Sequence, residues 1–255
     1  MQKTDLNNYR PISVIPLVSK IFEKIIYDQL CTYLNNNDLL NNCQSEFRSL
    51  LSTLTALLEA TNNWSLNIDN GLINGVIFID LKKVFDTIDH TILLSKLSIY
   101  GIDENSLKWF ESYLDERSQR CKVNGYLSGT NQITCGVPQG SILGPLLFLI
   151  YVNDLPNCLN KAIPRMYADD SSISLAAPHI TMLEAEMNDE ISKLNSWLIA
   201  NKLSLNIAKT EFMLIGSRQR LQTENNQHVE IQVEGKIIKQ VEETISLGVH
   251  IDNNL

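Results

Sequence analysis

The sequence predicts an α+β fold built on a ferredoxin-like split βαβ sheet. Three observations carry that expectation. An apolar run of strand type, Gly75-Val-Ile-Phe-Ile-Asp80, is followed by two helical segments. Two further apolar runs, 162–167 and 171–176, are separated by little more than a pair of aspartates, as in a tight β-hairpin. A helical segment and a last core strand, Glu211-Phe-Met-Leu-Ile215, follow in that order. No Gly/Ser linker cuts the chain, and 255 residues suffice for one large or two small domains.

The elements follow in order. Apolar spacing at Val18, Ile21, Phe22, Ile25 and Ile26 predicts a helix over 13–34, broken by Asn35-Asn-Asn-Asp38. A second helix covers about 52–68, ahead of the strand 75–80. Helices near 89–99 and 103–115 come next, the first capped by Asp89. Gln119 to Cys135 reads as a hairpin turning near Gly125, and Ser141 caps a very apolar helix, 142–153. Thr181-Met-Leu-Glu184 has the form of a capping box opening a helix to about residue 201. Beyond strand 211–215, residues 228–241 form a hairpin turning at Glu234-Gly235, and Ser246–Ile251 is the last strand.

Composition excludes several classes of function. The longest apolar stretch, Ile142–Val152, is too short to span a bilayer and contains Pro145, and the N-terminus has no apolar signal segment. No membrane role is expected. The five cysteines are scattered without Cys-x-x-Cys spacing, and the four histidines are equally dispersed. That argues against structural zinc and a disulfide framework, and for a reducing compartment. A net charge of −8 excludes a uniformly basic nucleic-acid-binding surface but not local basic patches.

Tyr167-Ala168-Asp169-Asp170 and Asp80 are the chemically loaded positions. A turn would project Asp169 and Asp170 to one side, and Asp80 ends a strand-type run. If these strands are neighbours, three carboxylates converge. Two carboxylates about 4 Å apart repel by about 4 kcal/mol at an effective dielectric near 20. Hard divalent cations, above all Mg²⁺, relieve that repulsion and leave positions for substrate phosphates. The expected site is therefore a two-metal phosphoryl-transfer centre.

The residues also carry a resemblance. Phe78-Ile-Asp80-Leu-Lys-Lys-Val-Phe85-Asp86-Thr-Ile-Asp89-His90 resembles motif A of reverse transcriptases from non-LTR (LINE-type) retrotransposons. Gly136-Val-Pro138-Gln139-Gly140-Ser-Ile-Leu-Gly144-Pro145-Leu-Leu-Phe148 resembles their motif B, and Tyr167–Asp170 their motif C. Asn7-Asn-Tyr9-Arg10-Pro11-Ile-Ser13 is similar to the fingers segment and Leu205-Asn-Ile-Ala-Lys209-Thr210 to motif D. The motifs stand in the family's order over nearly the whole chain.

The resemblance implies a right-hand polymerase palm with partial fingers. The palm would comprise about 75–90 and 136–255, and the fingers-side and inserted elements about 1–74 and 91–135. The domain is expected to be truncated before the thumb. It implies RNA-directed DNA polymerase activity on an RNA template and a DNA primer, with deoxynucleoside triphosphates as substrates. Asp80, Asp169 and Asp170 would hold two Mg²⁺ ions, with Mn²⁺ as an alternative. Phe85 would exclude a ribose 2′-hydroxyl, while Gln139 and Gly140 would lie beside the incoming nucleotide. Lys3 and Arg10 would contact the triphosphate, and Lys209 would protonate the leaving pyrophosphate. Asp86 and Asp89 are expected to cap and orient local structure. The family reading also implies the nucleus; oligomeric state is not encoded in these motifs.

The chain departs from the family pattern at Glu46, where Gly is usual, at Leu50-Leu51, and at Val84, where Ala is commonest. Glu46 and Leu51 weaken positive potential near nucleic acid. With the missing thumb, they favour the alternative reading of an inactive, truncated retroelement remnant that acts as a binding or structural module.

Overall fold

The computed structural model describes residues 12–45, 52–224 and 229–253. The chain forms two compact units, one drawn from the residues up to Leu40 and from Lys83–Val152, the other from Asn41–Lys82 and from Asn153 onward.

The second unit is organised by a five-stranded sheet. Its strands are β1 (Ile73–Ile79), β6 (Ile163–Tyr167), β7 (Asp170–Ala177), β8 (Glu211–Ile215) and β11 (Lys239–Gln240), in the order β11-β8-β1-β7-β6. β1 pairs antiparallel with both β7 and β8, β6 with β7 antiparallel, and β11 with β8 parallel. β1 is thus central and buried on both faces, which fits its nearly continuous apolar sequence.

One face packs on α2 (Thr53–Asp69), with Leu57, Ala60 and Trp64 against Val76, Met213 and Ile215. The other packs on α7 (Ile180–Ala200), whose Leu183, Met187, Ile191 and Leu194 are buried. Gly75 faces that helix: a Cβ there would meet Met187, Leu183 and Phe212 at 3.1–3.2 Å. Helix α2 opens with a reciprocal cap, since Thr55 N–H donates to Ser52 Oγ and Ser52 N–H to Thr55 Oγ1.

The expected capping box at Thr181 does not form. Helix α7 begins at Ile180, which puts His179 at the N-cap and Thr181 inside the first turn; Glu184 instead accepts the Glu230 N–H (3.2 Å). The hairpin β9/β10 (Gln232–Val233, Lys236–Ile237) turns at Glu234-Gly235 as expected, and α8 (Arg218–Glu224) was not foreseen. The predicted single last strand is a hairpin, β12/β13 (Glu243–Ser246, Val249–Asp252), because Leu247 and Gly248 take positive φ between its arms.

The first unit contains α1 (Leu17–Asn36), α3 (Val84–Thr87), α4 (His90–Ile99), α5 (Glu104–Leu114) and α6 (Leu143–Val152). Helix α1 starts four residues later than its apolar spacing suggests. Pro16 takes the N-cap with extended backbone, and a residue preceding proline, here Ile15, is steered away from helix. The apolar stripe itself points outward: Ile21 and Phe22 are 55% and 60% exposed, whereas Glu23 between Phe22 and Lys24 is buried. Glu23 accepts the Tyr113 hydroxyl (2.9 Å) and the Ile142 N–H (2.8 Å). Helix α6 is buried along its whole length apart from Pro145, and Lys96 donates to the Tyr151 carbonyl at 2.6 Å. The predicted hairpin 119–135 consists of two short ribbons, β2/β5 (Ser118–Gln119, Asn131–Gln132) and β3/β4 (Lys122–Val123, Tyr126–Leu127), the second turning at Asn124-Gly125. No helix among the described residues is long and apolar enough to cross a membrane.

Candidate active site

The carboxylates gather at one end of the sheet in the second unit. β1 ends at Ile79, which pairs with Ser171, so Asp80 and Asp170 are the residues that follow the last pair on their two strands. Tyr167 pairs with Asp170, which leaves a two-residue turn, Ala168-Asp169, between β6 and β7. Ala168 holds φ +52°, the left-handed conformation that a tight hairpin turn needs. Asp80 and Asp169 are half-buried and Asp170 is exposed.

The segment 204–210 closes on the end of β1. Leu205 bridges Leu81 in antiparallel sense, and Lys82 N–H donates to the Ser204 carbonyl (2.9 Å). Asn206 grips Asp80 twice: its backbone N–H donates to the Asp80 carbonyl (2.8 Å) and its Nδ2 to Asp80 Oδ2 (2.6 Å). Thr210, fully buried, accepts the Asp80 N–H on Oγ1 (3.3 Å). The N–H groups of Lys209 and Thr210 both donate to the Asn206 carbonyl, a tight turn that leaves the Lys209 side chain exposed.

Sequence reasoning expected three carboxylates to converge. Among the described residues, no three His, Cys, Asp or Glu side chains stand close enough to hold a metal ion. At Asp80, Oδ2 is turned to the Asn206 amide (2.6 Å). A neutral donor satisfies that oxygen without bringing a second negative charge near it. The chemistry of the donor set nonetheless fits Mg²⁺, which takes carboxylate oxygens in small number and keeps other positions for water and phosphate.

In the first unit, the segments around Phe85 and Gln139 are laced together. Gly136 N–H donates to the Ile88 carbonyl and Val137 N–H to the Phe85 carbonyl, both at 2.7 Å. His90 Nε2 meets the Gly136 carbonyl at 2.8 Å. Gln139 Nε2 donates to Asp86 Oδ1 (3.2 Å), so Asp86 orients Gln139, while Asp89 caps α4 through the Ile92 N–H (3.0 Å). Half-buried Phe85 packs its ring at 47° to Phe148, centroids 5.1 Å apart. Gly140 holds φ +97°, and a Cβ there would come within 3.3 Å of the Ser13 carbonyl oxygen. Ser141 Oγ accepts the Gly144 N–H (2.8 Å) at the entrance to α6. Lys3, Arg10, Glu46, Leu50 and Leu51 lie outside the described residues.

Sequence reasoning passed over Asn206 and Thr210 as individual contributors. The signal available was the alternation Leu203-Ser204-Leu205-Asn206, a strand-like pattern in which buried Leu203 and Leu205 set the register.

Residues 1–251 match the profile of the reverse transcriptase (RNA-dependent DNA polymerase) family. The chain is 29% identical over 261 residues to a probable RNA-directed DNA polymerase from transposon BS of Drosophila melanogaster, covering 97% of this chain and 28% of that protein. It is 25% identical to the RNA-directed DNA polymerase from mobile element jockey of the same organism, covering 99% of this chain and 28% of the relative. Thus the chain spans little more than a quarter of the length of these relatives. Among solved structures, telomerase from Candida albicans, in complex with a fragment of telomeric RNA, superposes with a TM-score of 0.59 at 12% identity, over 90% of this chain and 36% of that one. Apo telomerase from Candida tropicalis gives 0.58 at 13%, over 91% and 39%. At such identities the likeness concerns the fold.

Proposed function

The chain belongs to the reverse transcriptase (RNA-dependent DNA polymerase) family, and from that premise we propose that it carries the polymerase centre of a non-LTR retrotransposon. The reaction is transfer of a deoxynucleotide from its triphosphate to a primer 3′-hydroxyl, directed by an RNA template. The observation that supports this reading is that Asp80 and Asp170 come next on their strands after the last β1–β7 pair, Ile79 with Ser171, and that Asp169 sits in the adjoining turn. The sheet bearing them is the palm in this reading.

Asp80, Asp169 and Asp170 are the residues that would hold Mg²⁺. The metal, when bound, supplies Lewis-acid activation of the hydroxyl nucleophile and stabilises the leaving pyrophosphate. Asp170 shapes the site more than it coordinates. Phe85, braced by Phe148, bars a 2′-hydroxyl. Gln139, held by Asp86, and Gly140, which has no side chain to obstruct close approach, border the incoming nucleotide. Lys209 donates a proton to the leaving pyrophosphate, and Lys3 and Arg10 offset triphosphate charge.

The test is deoxynucleotide incorporation on an RNA template with a DNA primer and Mg²⁺, beside Asp169→Ala. Extension by the parent and none by the variant is expected. A variant that extends as the parent does would remove Asp169 from the mechanism.

A further inference from the structure

We propose that Asn206 is a positioning residue for Asp80, fixing which carboxylate oxygen faces the metal; this rests on the polymerase reading above. Asp80 lies one residue past the last β1 pair with β7, where the ladder no longer restrains it. Its backbone is held on both polar atoms by the 204–210 segment, through Asn206 N–H and Thr210 Oγ1. Its side chain is held by the Asn206 amide, at 2.6 Å. A carboxylate can only accept, so the Asn206 nitrogen must face it and the amide orientation is set by chemistry.

With Oδ2 engaged, Oδ1 is the oxygen presented to a cation. Asn206 therefore plays towards Asp80 the part that outer-sphere hydrogen-bond partners play towards metal-ligating groups: it selects one orientation before the ion arrives. A neutral amide suits this better than Lys or Arg, since it steers the carboxylate without competing with Mg²⁺ for its charge. The Asn206 backbone, from which that side chain projects, is itself fixed, because its carbonyl accepts two N–H groups from the following turn.

The experiment measures Mn²⁺ binding by electron paramagnetic resonance on the full chain, with melting temperature recorded for each protein. Four proteins are compared: the parent, Asp80→Asn, Asn206→Leu and Asn206→Ser. Leu has the branching of Asn but more bulk and no donor; the Ser hydroxyl is small and too short to reach Oδ2, so the two variants together separate loss of the donor from crowding. Asp80-dependent binding in the parent, weakened about tenfold or more in both Asn206 variants at near-parental melting temperature, is the expected result. Incorporation should then be recovered by raising Mg²⁺, so the half-saturating Mg²⁺ rises while the saturated rate stays within about threefold of the parent, a smaller change than the binding loss. Parental Mn²⁺ affinity in a folded Asn206 variant would overturn the inference and leave the polymerase reading intact. Failure of both variants to fold would overturn it equally, by making Asn206 a structural tie. Parent binding that ignores Asp80→Asn would sink the polymerase reading and this inference together.

Discussion

The Glu190 carboxylate accepts the backbone N–H of Ala162 at 3.1 Å, tying α7 to the residue that leads into β6 and so to the hairpin bearing Asp169. The same oxygen takes the N–H groups of Asn160 and Lys161, and the other takes Lys193 Nζ at 2.7 Å. The residue is wholly buried.

Burial alone would raise the Glu190 pKa, but the Lys193 ammonium and the three amides outweigh it and hold the carboxyl below its ordinary value of 4.5. A lowered carboxyl contributes stability above that ordinary value, and the contribution is lost as pH falls through the folded value. Glu190→Gln is expected to cost about 2–3 kcal/mol at neutral pH. Denaturant melts from pH 7 to pH 3 check this: the gap between parent and variant should close below about pH 4.5.

Gly136 sits at φ +85°, and a Cβ there would lie 2.8 Å from the Asp86 backbone. Gly136→Ala should therefore cost more than the ~1 kcal/mol of a purely conformational mismatch and part the Gln139 segment from Asp86. Gly125→Ala is the control, with the same φ and nothing within 4 Å. Thermal melts of the two should separate strain from collision, and only the first should lose nucleotide incorporation.

Phe85→Ala separates packing from selectivity. Loss of the contact with Phe148 should cost about 1 kcal/mol beyond the area lost. Ribonucleotide incorporation relative to deoxynucleotide should rise by at least about tenfold, the equivalent of 1.4 kcal/mol. An unchanged ratio would return Phe85 to the core alone.

Tyr113 should ionise late for a phenol. Burial, then the Glu23 carboxylate, push it up to about 12. A raised pKa means stability fully present below the ordinary value of 10 and lost as pH climbs towards 12. Absorbance titration near 295 nm should show a late component that Tyr113→Phe removes.

Much of this fold was legible because local chemistry and tertiary structure agree. Asp89 caps α4, Glu234-Gly235 makes its turn, and the apolar run before Asp80 is the central strand. Where they diverge, a non-local partner decides. The outward stripe of α1 could not be read from spacing, because Glu23 is buried by Tyr113 and Ile142, 90 and 119 residues away. The carboxylate positions were equally legible, since β1 and the β6–β7 turn announce themselves. Asp80's orientation was not, because its partner Asn206 arrives 126 residues later on a segment with no regular structure of its own.

Ala168 has a further consequence. A non-glycine residue in the left-handed region costs about 1–2 kcal/mol, which glycine would avoid. Its methyl group also denies the apex most of the conformations glycine would allow. The hairpin tip is therefore stiffer than it is stable: folding free energy is given up, and the backbone beside Asp169 is left with fewer states to choose among. Relaxing that apex would make a sturdier protein with a less decided carboxylate.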